Sequence, residues 1–143
     1  MTYRLLEYPN DEDIPHIISI YNNPLISQFI SIDKNNYWKY VAFTDNVYFY
    51  KVYDDGDFVA TIHLELYGRV LYMSVVVFPK YQKQGIATTV LEDIQTGKLG
   101  LDFTKIQVSI DEKNVASLKL FENAGFVCIS KDEELLEYEY IKS

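Results

Sequence analysis

The chain has 143 residues, of which 48% are apolar, and a formal net charge of -8 at pH 7. It is long enough for one domain that buries about two thirds of its unfolded surface, and too apolar for a disordered chain. The negative charge argues against nucleic acid or an anionic membrane surface as partners and favours a cationic substrate, because like charges repel at long range.

The single cysteine, Cys128, has no internal disulfide partner. The opening stretch MTYRLLEYPNDEDIPH carries no apolar run resembling a signal peptide or membrane span. A soluble, cytoplasmic protein is expected, with monomer and homodimer both open.

In chain order, Tyr3 to Leu6 reads as a first strand. Asn10 or Asp11 can cap a helix whose Ile14, Ile17, Ile18 and Tyr21 fall at helical spacing. Asn22, Asn23 and Pro24 end it, and Leu25, Ile26, Phe29 and Ile30 repeat the spacing in a second short helix. An aromatic segment through Tyr37, Trp38 and Tyr40 follows without a clear period.

From Val47 the apolar period becomes two. Strands to Tyr53 and from Phe58 to Leu66 flank a turn at Asp54, Asp55, Gly56 and Asp57, giving a hairpin. Tyr67 and Gly68 lead into Val70 to Phe78, where Val75, Val76 and Val77 are apolar on both faces, as in a central strand. Pro79 marks its end.

Ile86, Val90 and Ile94 then line a helix that stops near Gly97 and Gly100, and Lys105 to Ile110 is the next strand. Asn114 can cap a helix carrying Leu118, Phe121 and Ala124 that ends at Gly125. Strands from Phe126 to Ile129 and from Leu135 to Ile141 close the chain, and Cys128 reads as a buried strand residue. The pattern is α/β, with helices expected on both faces of a sheet containing at least one parallel crossover.

The segment from Val75 to Thr88 predicts a strand, a tight turn and a helix start that hold the pyrophosphate of a nucleotide-like cofactor. Gly85 and the small Ala87 permit close backbone approach. A helix N-terminus presents unpaired N–H groups with about half a positive charge, which suits a diphosphate. No Gly-Lys-Ser/Thr follows, and Gly-x-Gly-x-x-Gly is absent, so neither a Walker loop nor a dinucleotide fingerprint is present.

About thirty residues on, Asn114-Val115-Ala116-Ser117-Leu118-Lys119-Leu120-Phe121-Glu122-Asn123-Ala124-Gly125-Phe126 resembles the N-x-x-S-x-x-x-Y/F-x-x-x-G-F element of the GCN5-related N-acetyltransferase (GNAT) superfamily. Val75 to Thr88 resembles that family's R/Q-x-x-G-x-G/A acetyl-CoA element with its preceding strand. The likeness is good over residues 58 to 130, and the first fifty residues, the acceptor side in this family, match only in outline.

The resemblance implies a single-domain GNAT-like fold with a mixed central β-sheet of six or seven strands flanked by helices on both faces. It also implies acetyl-CoA as co-substrate, an amine acceptor and no metal. The backbone of Val75, Val76 and Val77 would pair with pantetheine like an added strand. Gln82, Lys83, Gln84, Gly85, Ile86, Ala87 and Thr88 would surround the pyrophosphate, and Asn114 would hydrogen-bond the pantetheine arm as well as cap its helix.

Acetyl transfer to an amine needs a neutral nucleophile and an acceptable leaving group. Deprotonating a lysine-like amine at pH 7 costs about 4.6 kcal/mol, whereas a thiolate leaves with little help, so the base matters more than the acid. Phe121 stands where the family often has a proton-donating tyrosine. Leu71 and Ser109 stand where relatives often carry a glutamate.

No carboxylate lies between Arg69 and Phe78. Glu65, on a polar strand face with Thr61 and His63, is therefore the first candidate base, set against a solvated face with no catalytic role. His63 is the second candidate. Asp11, Glu12 and Asp13 are explained by the dipole of a helix first turn. Because the usual acid and base positions are substituted, a non-catalytic acyl-CoA-binding sensor is the alternative to an enzyme.

Overall fold

The period-two segments become seven strands in the computed structural model, which describes residues 1–30, 32 and 36–142. They are β1 (Thr2–Leu5), β2 (Val47–Asp54), β3 (Asp57–Tyr67), β4 (Val70–Val77), β5 (Lys105–Asp111), β6 (Val127–Asp132) and β7 (Leu135–Ile141). The helices are α1 (Ile14–Tyr21), α2 (Pro24–Ser27), α3 (Tyr37–Phe43), α4 (Ile86–Gln95) and α5 (Val115–Asn123).

The strands form one sheet in the order β1-β2-β3-β4-β5-β7-β6. Every neighbouring pair is antiparallel except β4 and β5. The parallel pair is joined by the crossover through α4, as parallel neighbours require.

Alternation along the strands sorts the side chains into two cores. On one face Ile62, Leu64, Leu71, Met73, Ile106 and Val108 pack with Ile86, Val90 and Ile94 of α4 and Phe121 of α5. On the other, Val47, Phe49 and Val76 meet Ile14, Ile17 and Tyr21 of α1, Ile26 of α2, and Trp38 and Val41 of α3. The helices thus flank both faces, yet no β5 or β7 residue joins the second core. That half of the sheet keeps a polar surface.

Several local expectations are corrected. The first helix begins at Ile14, so Asp11 and Asp13 precede it; Asp11 Oδ1 accepts the Asp13 N–H at 2.8 Å instead of capping the helix directly. Both carboxylates hold the buried Lys51 ammonium, at 2.9 and 2.8 Å, so a specific ion pair anchors the start of α1 to β2. The dipole alone does not account for them.

The second helix is a single turn, Pro24–Ser27, and the aromatic segment is a helix of its own, Tyr37–Phe43. Cys128 is exposed, because the whole of β6 is an exposed edge strand. Tyr138 and Tyr140 share a face of β7: Tyr138 is buried and donates to Glu122, and Tyr140 lies over Phe126.

The β4/β5 pairing is short. Only Val70, Leu71 and Tyr72 pair with Lys105, Ile106 and Gln107, although β4 runs on to Val77 and β5 to Asp111. β4 keeps its β3 partners as far as Val77 opposite Ala60. From Met73 onward its other edge therefore has no strand beside it, and the sheet opens there.

Candidate functional site

A cavity of about 480 Å³ occupies the opening. Its walls come from the end of β4 (Val75, Val76, Val77), the turn after it, the first turns of α4 and α5, and Leu25, Phe29 and Ile30 in and after α2. Since α2 lies on one face of the sheet and α4 and α5 on the other, the cavity passes through the plane of the sheet.

Of the residues expected around a cofactor, Val75, Val76, Val77, Gln82, Lys83, Gly85, Ile86, Ala87, Thr88 and Asn114 all line it; Gln84 does not. Tyr81 and the α2 wall were not expected. The α2 residues carried only a generic helical spacing, which does not tell a core face from a cavity wall.

The turn is built for an anion. Pro79 ends the strand in a short 3-10 turn, Pro79–Tyr81. Lys83 takes φ 63° and Gly85 φ 80°, so two residues in left-handed conformation fold the chain into the start of α4. Gly85 is the N-cap and has no side chain to satisfy the helix end.

Among the described residues no backbone carbonyl accepts from the N–H groups of Lys83 through Thr88, the first paired one being Thr89 to Gly85 at 3.1 Å. A Cβ on Gly85 would meet nothing within 4 Å. Glycine is therefore required by conformation, and the space over it is open to a ligand. A row of free donors at the positive end of a ten-residue helix, with Lys83 beside it, fits a diphosphate.

Gln82 has an internal role. Its Nε2 donates to the Val77 carbonyl at 3.1 Å, tying the turn to the strand end. Asn114 Oδ1 accepts the Ser117 N–H at 3.2 Å and so caps α5, which leaves its amide N–H₂ as a donor on the cavity wall. Phe121 is buried edge-on against Phe126, at 5.0 Å between ring centres, and does not line the cavity.

Glu65, Thr61 and His63 lie on the β3 face covered by α1 and α3, and each polar side chain meets a tyrosine from those helices. Tyr21 bonds Thr61, Tyr37 bonds His63 Nδ1 at 2.6 Å, and Tyr40 donates to Glu65 at 2.7 Å. His63 Nε2 lies 2.7 Å from the second Glu65 oxygen, and Tyr67 donates to the first at 2.9 Å. The face is a connected network, not a solvated surface, and only the i, i+3 spacing of Tyr37 and Tyr40 hinted at it in the sequence.

Burial pushes the Glu65 carboxyl upward, but the hydrogen bonds from Tyr40, His63 and Tyr67 outweigh it and hold the group below the ordinary glutamate value. Burial raises Tyr37 well above a free phenol, with further upward pushes from Tyr21, Glu65 and Tyr40. Burial likewise pushes Tyr21 up to about 12. The network therefore consists of hydroxyl donors around one carboxylate and one imidazole.

β3 lies beside β4 with His63 opposite Ser74 and Glu65 opposite Tyr72. The network thus borders β4 where the sheet opens. Among the described residues no group of three or more His, Cys, Asp or Glu is placed to hold a metal ion, and no helix is long and apolar enough to cross a membrane.

A central strand that parts from its parallel neighbour, a donor-rich turn and a helix start over the gap make an opening that could take an extended ligand ending in a diphosphate. The family model for the acetyltransferase (GNAT) family matches residues 14–126, and the chain belongs to that family. No curated protein sequence matches it significantly.

Among solved structures, it resembles the N-acetyltransferase PseH of Campylobacter jejuni in complex with acetyl coenzyme A, at TM-score 0.81 and 13% identity over 99% of each chain. It also resembles the spermidine N-acetyltransferase of Vibrio cholerae in complex with CoA and spermine, at TM-score 0.81 and 19% identity over 99% of this chain and 95% of that one. A domain from Methanocaldococcus jannaschii is similar at TM-score 0.81 and 19% identity, over 98% and 97%. At these identities the likeness is one of fold.

Proposed function

We propose that this protein transfers the acetyl group of acetyl-CoA to a primary amine by direct attack on the thioester. The observation that carries the reading is the unpaired β4 edge after Tyr72, which runs into a cavity floored by the free N–H groups of Lys83 to Thr88. Pantetheine fits along Val75 to Val77 as an added strand, with the diphosphate on the turn and the Asn114 amide reaching the arm. An acceptor amine, such as the spermine bound in the Vibrio cholerae structure, reaches the thioester from the β3 side of the opening.

Glu65 remains part of the proposed catalytic machinery, in a role sharpened by its contacts. With three donors on it, its carboxylate is a poor proton acceptor and a good partner for a cation. His63 is the base in this reading. With Tyr37 donating to Nδ1 and Nε2–H donating to Glu65, the incoming proton reaches Nδ1 through the Tyr37 hydroxyl, which passes on its own hydrogen as it takes one from the amine. Glu65 then faces the imidazolium, an arrangement in which a carboxylate orients and stabilises the base. A backbone N–H near Val77 is the donor to the developing oxyanion.

The test is amine-dependent release of free CoA thiol across a panel of primary amines, with acetyl-CoA binding measured in parallel. Turnover on at least one amine is expected. Tight acetyl-CoA binding with no turnover on any amine would replace the enzyme with a sensor.

A further inference from the structure

On the far side of the opening, β5 and β7 carry a carboxylate that the base network does not use. Tyr72 pairs with Gln107, Gln107 with Glu139, and Ser109 with Glu137. Paired residues share a face of a sheet, and so do residues two apart on one strand. Ser109 and Glu137 therefore lie on the same face as Tyr72 and Ser74, hence also as His63 and Glu65.

Two residues beyond the last parallel pair, Ser74 and Ser109 take corresponding positions on the two strands that have parted. One wall of the opening thus ends in His63 and Glu65, the other in Ser109 and Glu137. Beside Ser109 the neighbouring strand supplies a carboxylate, that of Glu137.

Glu137 differs from the acidic residues near it. Glu139 is neutralised by Lys105 at 2.9 Å and Glu112 by Lys131 at 2.7 Å. Among the described residues Glu137 has no basic partner; its oxygens both lie 2.7 Å from the Ser109 hydroxyl. That hydroxyl has a single hydrogen to give, so it holds the carboxylate in place while leaving acceptor positions open. A half-buried carboxylate without a counter-charge among the described residues, on the sheet face that carries His63 and Glu65 in a chain of net charge -8, is matched by a cation that arrives with the substrate.

We infer that Glu137, positioned by Ser109 across the opening from His63, is the residue that selects acceptors carrying a second ammonium group, so that linear diamines are preferred over monoamines. The inference rests on the reading that an amine acceptor enters from this face. Two regular strand steps from β4 to β7 would be about 10 Å, and the parting of β4 from β5 after Tyr72 makes this a lower bound. Less the reach of the glutamate side chain, that span calls for a spacer of about five methylenes between the reacting amine and the second charge.

The experiment compares 1,5-diaminopentane with pentylamine for the wild type, Glu137→Gln, Glu137→Lys and, as a control, Glu139→Gln. It measures both kcat/KM and calorimetric binding of each amine to the CoA-loaded protein. The wild type is expected to favour the diamine, through KM. Glu137→Gln should reduce the diamine-to-monoamine ratio about fivefold, the size of an exposed ion pair. Glu137→Lys should reduce it further through like-charge repulsion, and Glu139→Gln should leave it within twofold.

A wild type that treats the two amines alike, or a ratio unmoved by both Glu137 substitutions, overturns the inference. Glu137-dependent binding of the diamine without turnover of either amine supports the inference and overturns the enzymatic reading instead. Turnover with no Glu137-dependent preference does the reverse.

Discussion

The two sides of the β4/β5 opening are made by different means. The cofactor side, Val75 to Thr88 with Asn114, consists of consecutive backbone groups and one cap, and almost every element of it is local in the chain. The proposed acceptor side assembles side chains from β3, α1, α3, β5 and β7, whose members lie up to 40 residues apart in single hydrogen bonds. Backbone donors tolerate substitution of most side chains, and a network of tyrosines, one histidine and single carboxylates does not. The proposed cofactor side thus depends little on side-chain identity, and the proposed acceptor side depends on it heavily.

The largest expected break in this comparison is at the proposed base. His63→Gln keeps an acceptor for the Tyr37 hydroxyl but removes the base, and kcat should fall about 100-fold or more, as for loss of a general base. Acetyl-CoA binding should stay within twofold. Tyr37→Phe should cost a similar factor, and the double variant little more than either alone, because the two act as one relay. Additive losses would take Tyr37 out of the proton path.

Gly85→Val tests the other side. A β-branched residue at φ 80° is strained by roughly 1–2 kcal/mol, and relief of that strain rotates the donors away from the ligand. The KM for acetyl-CoA should rise about tenfold or more, and the thermal stabilisation given by CoA should disappear. If CoA still stabilises the variant as it does the wild type, the turn is not the diphosphate site.

Asn114→Ala sits between the two cases. Loss of the cap should cost about 1 kcal/mol of stability, seen as a lowered midpoint in urea, with a severalfold increase in KM for acetyl-CoA and an unchanged ratio among amines. A stability loss without any change in KM would reduce Asn114 to a cap.

The smallest effect concerns Glu65 and acid. Its carboxyl lies below the ordinary value in the folded chain, so the stabilisation from its three donors is complete above the unfolded-state value near 4.5 and is lost as pH falls through the depressed folded value. Tyr40→Phe removes one donor and moves the folded value back up. Stability at neutral pH should drop by about 1 kcal/mol, and the loss of stability below pH 4.5 should be shallower than in the wild type. Parallel stability curves for the two proteins across pH 3 to 7 would show that Tyr40 does not hold the charge.

How much could be read in advance follows the same division. The strand, turn and helix start at Val75 to Thr88 and the cap at Asn114 depend on residues adjacent in the chain, and apolar period, a glycine and a helix-capping side chain mark them directly. Glu65 was picked out by elimination among strand carboxylates, but its partners Tyr37, Tyr40 and Tyr67 were not, since nothing local says which helix will cover a polar strand face. Cys128 is exposed, not buried, for a related reason. A short apolar run reads alike in a central strand and in an exposed edge, and only the position of β6 beyond β7 distinguishes them.

By itself the sequence determined the elements that local geometry dictates: the alternating strands, the glycine in the turn, the helix starts and, through them, the proposed seat for a diphosphate, while the pantetheine arm followed from the family resemblance alone. Tertiary structure decided where β4 leaves β5, which polar residues share the face beside that gap, and that Glu137 of β7 stands next to Ser109 of β5. The physical reason is range. Backbone conformation is set by neighbours in the chain, whereas the partner of a charge is set by strand register, which no single segment contains.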